Sequence, residues 1–273
     1  MCATETNKNF YALDSAYFFV EAMRIDLYLK DKFGSRNKAA NAVSEGLVLV
    51  NGKSVSSSYE VKAGDDITVL TPDISFVSAG GYKLYKALKD FNFSVKDGIF
   101  ADIGASTGGF TDCLLQNGAK KVYCIDVGES QLDSSLKDKN IVVIDNFNAR
   151  NLTIDMFGER LSGAVVDVSF ISLTYILGAV ADVLEDGASV LALIKPQFEC
   201  GTHKVGKNGI VRELSQRKKI IAKICEFSES VNLAPVEITN APVVKGKNTE
   251  YIIRLEKNGK SLGTDCILNG ICV

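Results

Sequence analysis

The feature that most limits the fold is a regular alternation of apolar runs and amphipathic segments from residue 83 onward. Runs such as "GIFADIGA", "KVYCIDVG", "GAVVDVSF" and "SVLALIK" predict buried strands, and helical patterns lie between them. Two further strands are predicted around "PVEITNAPV" and "EYIIRLEK". Because strands alternating with helices favour a mostly parallel sheet covered on both faces, we predict a doubly wound, Rossmann-like α/β domain.

The chain before this region has a different pattern, which predicts a small α/β module. Ile25, Leu29 and Phe33 share one helical face, and Ser35 can cap a second helix. Asn51-Gly52 between apolar runs indicates a hairpin, and Pro72 marks a linker. The predicted boundaries are an extension at 1–22, a module at 23–70, a linker at 71–82, the main domain at 83–257 and a tail at 258–273.

Composition removes several classes of function. The chain has one histidine, which argues against a Ser-His-Asp triad or a multi-histidine metal site, and its seven cysteines show no CxxC pair, so we expect no metal. The uncharged run at 168–181 is too short to span a bilayer, and no signal peptide is visible. We therefore expect a cytoplasmic protein with no membrane partner. A formal net charge of −2 means that nucleic-acid binding must rest on local basic patches.

The end of the first strand of the main domain carries a glycine turn, "DIGASTGGF". Gly104, Gly108 and Gly109 allow a tight turn and close approach of a ligand, but the spacing is not GxGxxG. Asp126 ends the next strand, where an acid suits the hydroxyls of a ribose. This combination favours S-adenosylmethionine as cofactor, although a glycine turn also occurs in doubly wound proteins for structural reasons alone.

Two more strands end in ionisable residues, Asp167 and Lys195. Taken separately, each is explained by polarity at a strand end, a snorkelling lysine or a structural ion pair. Together, beside a predicted cofactor turn, they form a candidate site.

The motifs "DIGASTGGFTDCLL", "IDVGESQLDSSL", "VVDVSFISL", "LIKPQFE" and "GIVR" resemble the TlyA family, also known as the hemolysin A family. "RIDLYL", "SRNKAANAV" and "VLVNGK" are similar to its S-four RNA-binding domain. The resemblance covers roughly residues 23–256. It implies an S-four domain followed by a methyltransferase domain like that of FtsJ. Members of the family methylate ribosomal RNA on the ribose 2′-oxygen, and the resemblance implies the same reaction here.

The resemblance also implies site residues. The Lys-Asp-Lys-Glu tetrad of FtsJ-like enzymes falls on Lys83, Asp167, Lys195 and Glu250. Ala79 stands where the family has an arginine before the first tetrad lysine, and "NFNAR" at 146–150 departs from the family's "RTNAR". The expected cofactor contacts are Asp102, Gly104, Ser106, Thr107, Gly108, Gly109, Phe110, Asp126, Val127, Asn148 and Asp167.

The chemistry of the tetrad follows from its groups. A ribose hydroxyl must lose its proton as it attacks the sulfonium methyl, and a lysine is a useful base only when its pKa is lowered by desolvation or nearby cations. We therefore expect Lys195 to be the base and Lys83 a second cation. Asp167 is expected to orient the amine without pairing with it too tightly, and Glu250 to position Lys83 or the ribose.

RNA binding needs a basic surface, and the chain offers basic residues in two regions, the small module and residues 195–223. Residues 195–223 carry eight Lys and Arg against two Glu, a net of +6. A solvated helix face is the alternative for such a run. The expected RNA-binding residues are Arg24, Lys30, Lys32, Arg36, Lys38, Lys204, Lys207, Arg212, Lys218 and Lys219.

Together with these residues, the resemblance implies an S-adenosylmethionine-dependent rRNA (cytidine-2′-O)-methyltransferase that acts on ribosomal subunits as a monomer. The alternatives are a membrane-active hemolysin and a ribosome-binding protein without catalysis.

Overall fold

The structure, a computed structural model, describes residues 23–44, 46–69, 75–137, 140–200, 209–242 and 247–271. The predicted extension at 1–22 lies outside these ranges, as do Lys204 and Lys207. The chain divides into two compact units, Met1–Ser75 and Phe76–Val273, and this boundary falls within the segment predicted as a linker. In the ranges given, no helix is long and apolar enough to cross a membrane.

The first unit buries one face of its helices, as the periodicity predicts. Its helices are α1 (Ile25–Tyr28), α2 (Lys30–Phe33) and α3 (Arg36–Ser44). Ile25, Leu29 and Phe33 are each at most 2% exposed. Gly34 ends α2 with a φ of +76°, and the Oγ of Ser35 accepts the backbone N–H of Lys38 at 3.2 Å as the cap of α3.

The strands of the first unit form two small sheets. They are β1 (Met23–Arg24), β2 (Val48–Val50), β3 (Lys53–Ser54), β4 (Glu60–Val61) and β5 (Ile67–Val69). Strand β1 pairs with β4, and the other three lie in the order β3-β2-β5, all antiparallel. Asn51 and Gly52 have φ of +52° and +72°, so the predicted pair makes the turn between β2 and β3.

The second unit is built on a seven-stranded sheet. Its strands are β6 (Ile99–Ile103), β7 (Lys121–Ile125), β8 (Ile141–Ile144), β9 (Gly163–Val166), β10 (Ser189–Ile194), β11 (Leu233–Asn240) and β12 (Tyr251–Lys257). The order is β11-β12-β10-β9-β6-β7-β8, with the last five parallel and β12 antiparallel to both of its neighbours. All six residues of β10 are buried, as expected for a strand covered on both faces. The predicted Rossmann-like fold is confirmed.

The helices of the second unit are α4 (Ala79–Asp90), α5 (Gly109–Gln116), α6 (Leu177–Asp182), α7 (Pro196–Glu199), α8 (Leu214–Ser230) and α9 (Thr264–Asn269). Leu173–Tyr175 forms a 3₁₀ turn ahead of α6. The backbone N–H of Leu173 donates to the carboxylate of Glu199 at 2.8 Å, so this turn is bonded to α7 and does not extend α6.

The carboxyl ends of four parallel strands meet at one edge of the sheet, called here the carboxyl edge. The residues that directly follow strands β6, β7, β9 and β10 there are Gly104, Asp126, Asp167 and Lys195. Strand β12 runs the other way, and its first residue, Tyr251, is the partner of Ile194. The start of β12 therefore lies at the same edge as the end of β10.

Candidate functional site

Asp167 and Lys195 form an ion pair at the carboxyl edge. Lys195 Nζ lies 2.6 Å from Asp167 Oδ1 and donates to Ser169 Oγ at 2.8 Å. The side chains are 12% and 21% exposed for Lys195 and Asp167 respectively. The expectation that Asp167 avoids close pairing with this lysine is wrong for the structure, because the two residues follow neighbouring parallel strands, β9 and β10, at the same edge.

Lys83 and Glu250 form a second ion pair, at 2.8 Å, between residues 167 positions apart in the chain. Both side chains are 17% exposed. Lys83 lies on α4, and Glu250 precedes β12. Since Tyr251 is the register partner of Ile194, Glu250 lies across from Lys195, one position beyond that pair. The register thus brings Glu250, and with it Lys83, to the edge that holds Asp167 and Lys195.

The segment that carries Glu250 is anchored by side chains that the sequence did not single out. Asn248 accepts the backbone N–H of Val211 through Oδ1 at 2.8 Å and donates to the carbonyl of Gly209 at 2.9 Å. Arg217 Nη1 donates to Thr249 Oγ1 at 3.2 Å. The "GIVR" motif therefore fixes the backbone just ahead of Glu250.

The glycine turn after β6 runs directly beside the end of β9. Gly104 has a φ of +82°, and a Cβ added there would lie 2.5 Å from the backbone oxygen of Asp167. Gly108 has a φ of +88° and precedes the first residue of α5. A side chain at Gly104 would close the space between the turn and Asp167, so glycine is required there by both its φ and its neighbour.

Asp126 binds the glycine turn through backbone groups. Its Oδ2 accepts the N–H of Ser106 at 2.8 Å, and its Oδ1 accepts the N–H of Gly128 at 2.8 Å. Val127, the next residue, is 71% exposed, an unusual position for an aliphatic side chain beside a polar turn. Each carboxylate oxygen of Asp126 thus accepts one backbone N–H, and whether Asp126 and Val127 contact a cofactor stays a prediction.

Asp102 lies under the turn, within β6, and is fully buried. Thr111 Oγ1 donates to its Oδ2 at 2.7 Å, while Oδ1 accepts no hydrogen bond from any described residue. Burial raises the pKa of this carboxyl from 3.8 to about 7. A buried acceptor without a donor is uncommon in native structures, so Oδ1 of Asp102 is a candidate atom for contact with a ligand.

The other predicted cofactor residues have local roles in the structure. The carbonyl of Thr107 accepts the N–H of Asp133 at 3.2 Å, and Gly109 is the first residue of α5. Phe110 is 3% exposed, so its ring belongs to the core. Asn148 Oδ1 accepts the N–H of Arg150 at 3.1 Å as the cap of a 3₁₀ turn. Whether these four contact the cofactor stays a prediction.

Phe170 and Glu199 also lie at the carboxyl edge, and the sequence argument gave them no role. Phe170 follows Ser169, is 90% exposed and has a φ of +64°. Its ring lies 4.9 Å from that of Phe198, between centroids. Glu199 is only 6% exposed. No periodicity distinguishes an exposed phenylalanine from a core one, and a glutamate at a helix end usually faces solvent.

The basic residues predicted in the first unit include an arginine pair held by a buried acid. Asp26 is 3% exposed and lies 2.9 Å from Arg24 and 3.2 Å from Arg36. Hydrogen bonds from Arg24, and then from Arg36, lower the pKa of Asp26. Lys30 and Lys32 are exposed beside them, and Lys38 is half-buried. The arginine side chains stay about half exposed, so their outer faces are available to phosphate.

The basic stretch of the second unit is only partly described. Arg212 and Lys219 are exposed, and Lys218 is half-buried. The geometry of α8 therefore leaves some of the predicted cations in solvent.

Two family models match the chain. The model described as "FtsJ-like methyltransferase" matches residues 76–257, and the model described as "S4 domain" matches residues 23–67. These ranges correspond closely to the described parts of the two structural units.

Curated relatives and solved structures agree with these models. The chain is 43% identical to Hemolysin A of Brachyspira hyodysenteriae, over 84% of this chain and 98% of that protein. It is 36% identical to the 16S/23S rRNA (cytidine-2'-O)-methyltransferase TlyA of Mycobacterium tuberculosis, over 81% of this chain and 84% of that one. The solved structure of a protein provisionally named a hemolysin, from Streptococcus thermophilus, is 38% identical, with a TM-score of 0.68 over 91% of this chain and 94% of that chain. The chain therefore belongs to the FtsJ-like methyltransferases with an N-terminal S-four domain, the family of its relatives TlyA and hemolysin A.

Proposed function

We propose that this chain transfers a methyl group from S-adenosylmethionine to the 2′-oxygen of a cytidine in ribosomal RNA. The observation that carries the proposal is the meeting of two lysine–carboxylate pairs, Lys195–Asp167 and Lys83–Glu250, at the edge that holds the glycine turn. The name of the Mycobacterium tuberculosis relative supplies the RNA class and the cytidine.

The residues at the carboxyl edge fit S-adenosylmethionine. Asp102 has a buried oxygen that no described residue supplies with a donor, and Gly104 lets the turn pass directly against the backbone of Asp167, where a Cβ would lie 2.5 Å from the backbone oxygen. Asp126 would bind the ribose hydroxyls, the glycine turn would surround the methionine end, and Val127 and Asn148 would lie beside the adenine. When bound, this group supplies an electrophilic methyl on a positively charged sulfur.

The protein side of the reaction is removal of the proton from the 2′-hydroxyl. We assign Lys195 Nζ as the atom that accepts this proton. Lys195 directly follows a fully buried strand, β10. Nζ is ion-paired with Asp167 and donates to Ser169, so it must first release one proton to solvent and turn the resulting lone pair toward the ribose hydroxyl before it can accept the hydroxyl proton. A fixed acceptor beside a fixed hydroxyl removes much of the entropic cost of the step.

The second pair has a different task in this proposal. Lys83 adds a positive charge at the same edge, which stabilises the oxyanion that develops as the proton leaves. Glu250 holds the Lys83 ammonium at 2.8 Å, and the hydrogen bonds of Asn248 and Arg217 hold the backbone around Glu250. The ribose would be positioned between the two pairs.

The S-four unit provides the first contact with RNA. Arg24 and Arg36, held together by Asp26, present two guanidinium groups that can bind backbone phosphates. Phosphate contacts fix position without reading sequence, and contacts to the 2′-hydroxyl distinguish RNA from DNA. Because its substrate is ribosomal RNA, we place the protein with ribosomal subunits in the cytoplasm.

The test is a methyl-transfer assay with ribosomal subunits from cells that lack the gene. Purified protein and methyl-labelled S-adenosylmethionine should yield labelled 2′-O-methylcytidine after digestion of the RNA to nucleosides. A synthetic RNA that spans the mapped site should accept the methyl, and the same RNA with a 2′-deoxycytidine at that site should not. Label on a base, or no label in either subunit, would contradict the proposed reaction.

A further inference from the structure

Two segments at the carboxyl edge carry the pair assigned to proton removal, and they are called here the two loops although the second includes helix α7. Residues 167–173 follow β9 and include Asp167 and Ser169, and residues 195–199 follow β10 and include Lys195. The Lys195 amine joins the starts of the two loops through Asp167 and Ser169. Its geometry therefore depends on how the loops are held beyond these first residues.

Glu199 joins the far ends of the same loops. Its Oε2 accepts the hydroxyl of Ser172 at 2.5 Å, and its Oε1 accepts the backbone N–H of Leu173 at 2.8 Å. Both contacts are buried, and no ion pair to Glu199 is found among the described Lys and Arg residues. Burial raises the pKa of the Glu199 carboxyl. Since burying a carboxylate is unfavourable unless it is well hydrogen-bonded, these two donors are what keep it in place.

Between these two connections, the backbone is in an unfavourable conformation. Phe170 has a φ of +64°, in the left-handed region that bulky side chains seldom adopt. Its ring contacts Phe198, the residue before Glu199. A backbone of this kind persists only when the structure on both sides fixes it. Lys195 fixes one side through Ser169, and Glu199 fixes the other through Ser172 and Leu173.

We propose that Glu199 is a positioning residue for methyl transfer: its carboxylate holds Ser172 and Leu173 so that Asp167 and Ser169 meet the Lys195 amine. The inference rests on the proposed function, since it assigns a task within that reaction. The Glu199 carboxylate is bonded to Ser172 and Leu173, and it acts on Asp167 and Ser169 through the segment that carries all four residues. The hydrogen bonds of Glu199 also explain why the "DVSFISL" and "KPQFE" motifs lie against each other in the structure.

The test compares two substitutions that differ in hydrogen bonding. Glu199→Leu removes both acceptors, and we expect kcat to fall about tenfold or more while KM for RNA changes by less than about threefold. Glu199→Gln keeps an acceptor for Leu173 N–H and lets its amide donate to Ser172 Oγ, so it should restore kcat to within about threefold of wild type. The amide of Leu173 should exchange its hydrogen faster in the leucine variant than in the glutamine variant.

Controls separate this proposal from the reaction itself. Glu185→Gln alters a half-exposed glutamate paired with Arg160 and should leave kcat and KM unchanged. If Glu199→Leu does not fold, Ser172→Ala removes one of the two donors and should lower kcat with the same unchanged KM. Wild-type protein without methyl transfer overturns the proposed function and this inference with it. With an active wild type, full kcat in Glu199→Leu, or equal loss in the leucine and glutamine variants, overturns the inference alone.

Discussion

Two lysine–carboxylate pairs of equal length lie at opposite edges of the large sheet. At the carboxyl edge, Lys195 lies 2.6 Å from Asp167 and donates to a hydroxyl, that of Ser169. At the amino edge, Lys121 lies 2.6 Å from Glu159 and also donates to a hydroxyl, that of Tyr123, at 3.3 Å. The two lysines thus have the same kinds of partner, so pair geometry alone identifies no site.

The surroundings of the two pairs differ. Lys121 and Glu159 are 30% and 34% exposed, more than Lys195 and Asp167. The carboxyl edge adds a glycine turn, a second ion pair and a buried acid with one unpartnered oxygen. The loops that follow the parallel strands lie together at this edge, whereas the amino edge holds the segments that precede these strands. The convergence of several partly buried groups is the signal of function, and a single ion pair is not.

The largest expected effect comes from removing each lysine in turn. Lys195→Ala should slow methyl transfer by about 10²–10⁴-fold, the usual scale for loss of a general base. Lys121→Ala removes the same kind of contacts at the other edge and should leave the rate unchanged. The measurement is single-turnover incorporation of labelled methyl into ribosomal subunits, with calorimetry to show that S-adenosylmethionine still binds. Substantial methylation by Lys195→Ala would remove Lys195 from the role of essential base.

A smaller effect is expected for cofactor affinity when Asp126 is changed. Asp126→Ala would lose the charge-assisted contact proposed with the ribose, and it leaves the N–H groups of Ser106 and Gly128 without their acceptor. We expect binding of S-adenosylmethionine to weaken by about 1–3 kcal/mol. Asp126→Asn retains one acceptor oxygen for the turn and should fall between the alanine variant and wild type.

The matched variant for this measurement is Glu159→Ala, which removes a carboxylate at the amino edge. Calorimetry on the three variants should show full affinity for Glu159→Ala. Equal affinity in Asp126→Ala and wild type would exclude Asp126 from binding the ribose. The functional difference between the two edges would then be supported only by the variants of Lys195 and Lys121.

The sequence predicted those parts of the site that follow directly from strand ends. Asp167, Lys195 and Asp126 each terminate an apolar run, and a parallel sheet brings such positions to one edge. Gly104 was expected from its turn, although its contact with the backbone of Asp167 could not be foreseen. The core strands were predicted well because a buried strand needs a continuous apolar run.

The parts that the pattern could not supply depend on contacts between distant segments. Lys83 and Glu250 are 167 positions apart, and from the sequence only the family resemblance linked them. In the structure, the register of β10 and β12 places Glu250 across from Lys195, and the ion pair brings Lys83 to the same edge. Glu199 has the composition of a surface residue, and its burial depends on two donors in another loop. An ion pair between Lys195 and Asp167 was one of the explanations that the sequence left open, but its 2.6 Å separation could not be predicted, because strand order brings the two residues together without setting the distance between their side chains.

The last comparison concerns the dependence of stability on pH, where the two edges should behave oppositely. Burial raises the pKa of Asp102 from 3.8 to about 7. Between these values the folded protein retains a proton that the unfolded chain has lost. The Asp102 contribution to the free energy of unfolding therefore falls as pH rises from about 4 to about 7, by up to about 1.4 kcal/mol per pH unit. Asp102→Asn has no proton to lose, so this part of the slope should disappear.

Glu159 should give the opposite sign at the amino edge. The hydrogen bond from Lys121 lowers the pKa of Glu159 below its usual 4.5, so its contribution to stability is present above pH 4.5 and is lost as pH falls through the lowered value. Urea unfolding of wild type, Asp102→Asn and Glu159→Gln across pH 3–8 would measure both. The wild-type-minus-variant difference should decline with rising pH up to about 7 for Asp102→Asn, and rise with pH only at the acid end for Glu159→Gln. If the Asp102→Asn difference were flat between pH 4 and 7, that carboxyl would not be held protonated in the folded protein. The contrast between a buried acid under the glycine turn and a solvated one in an ordinary ion pair would then fail.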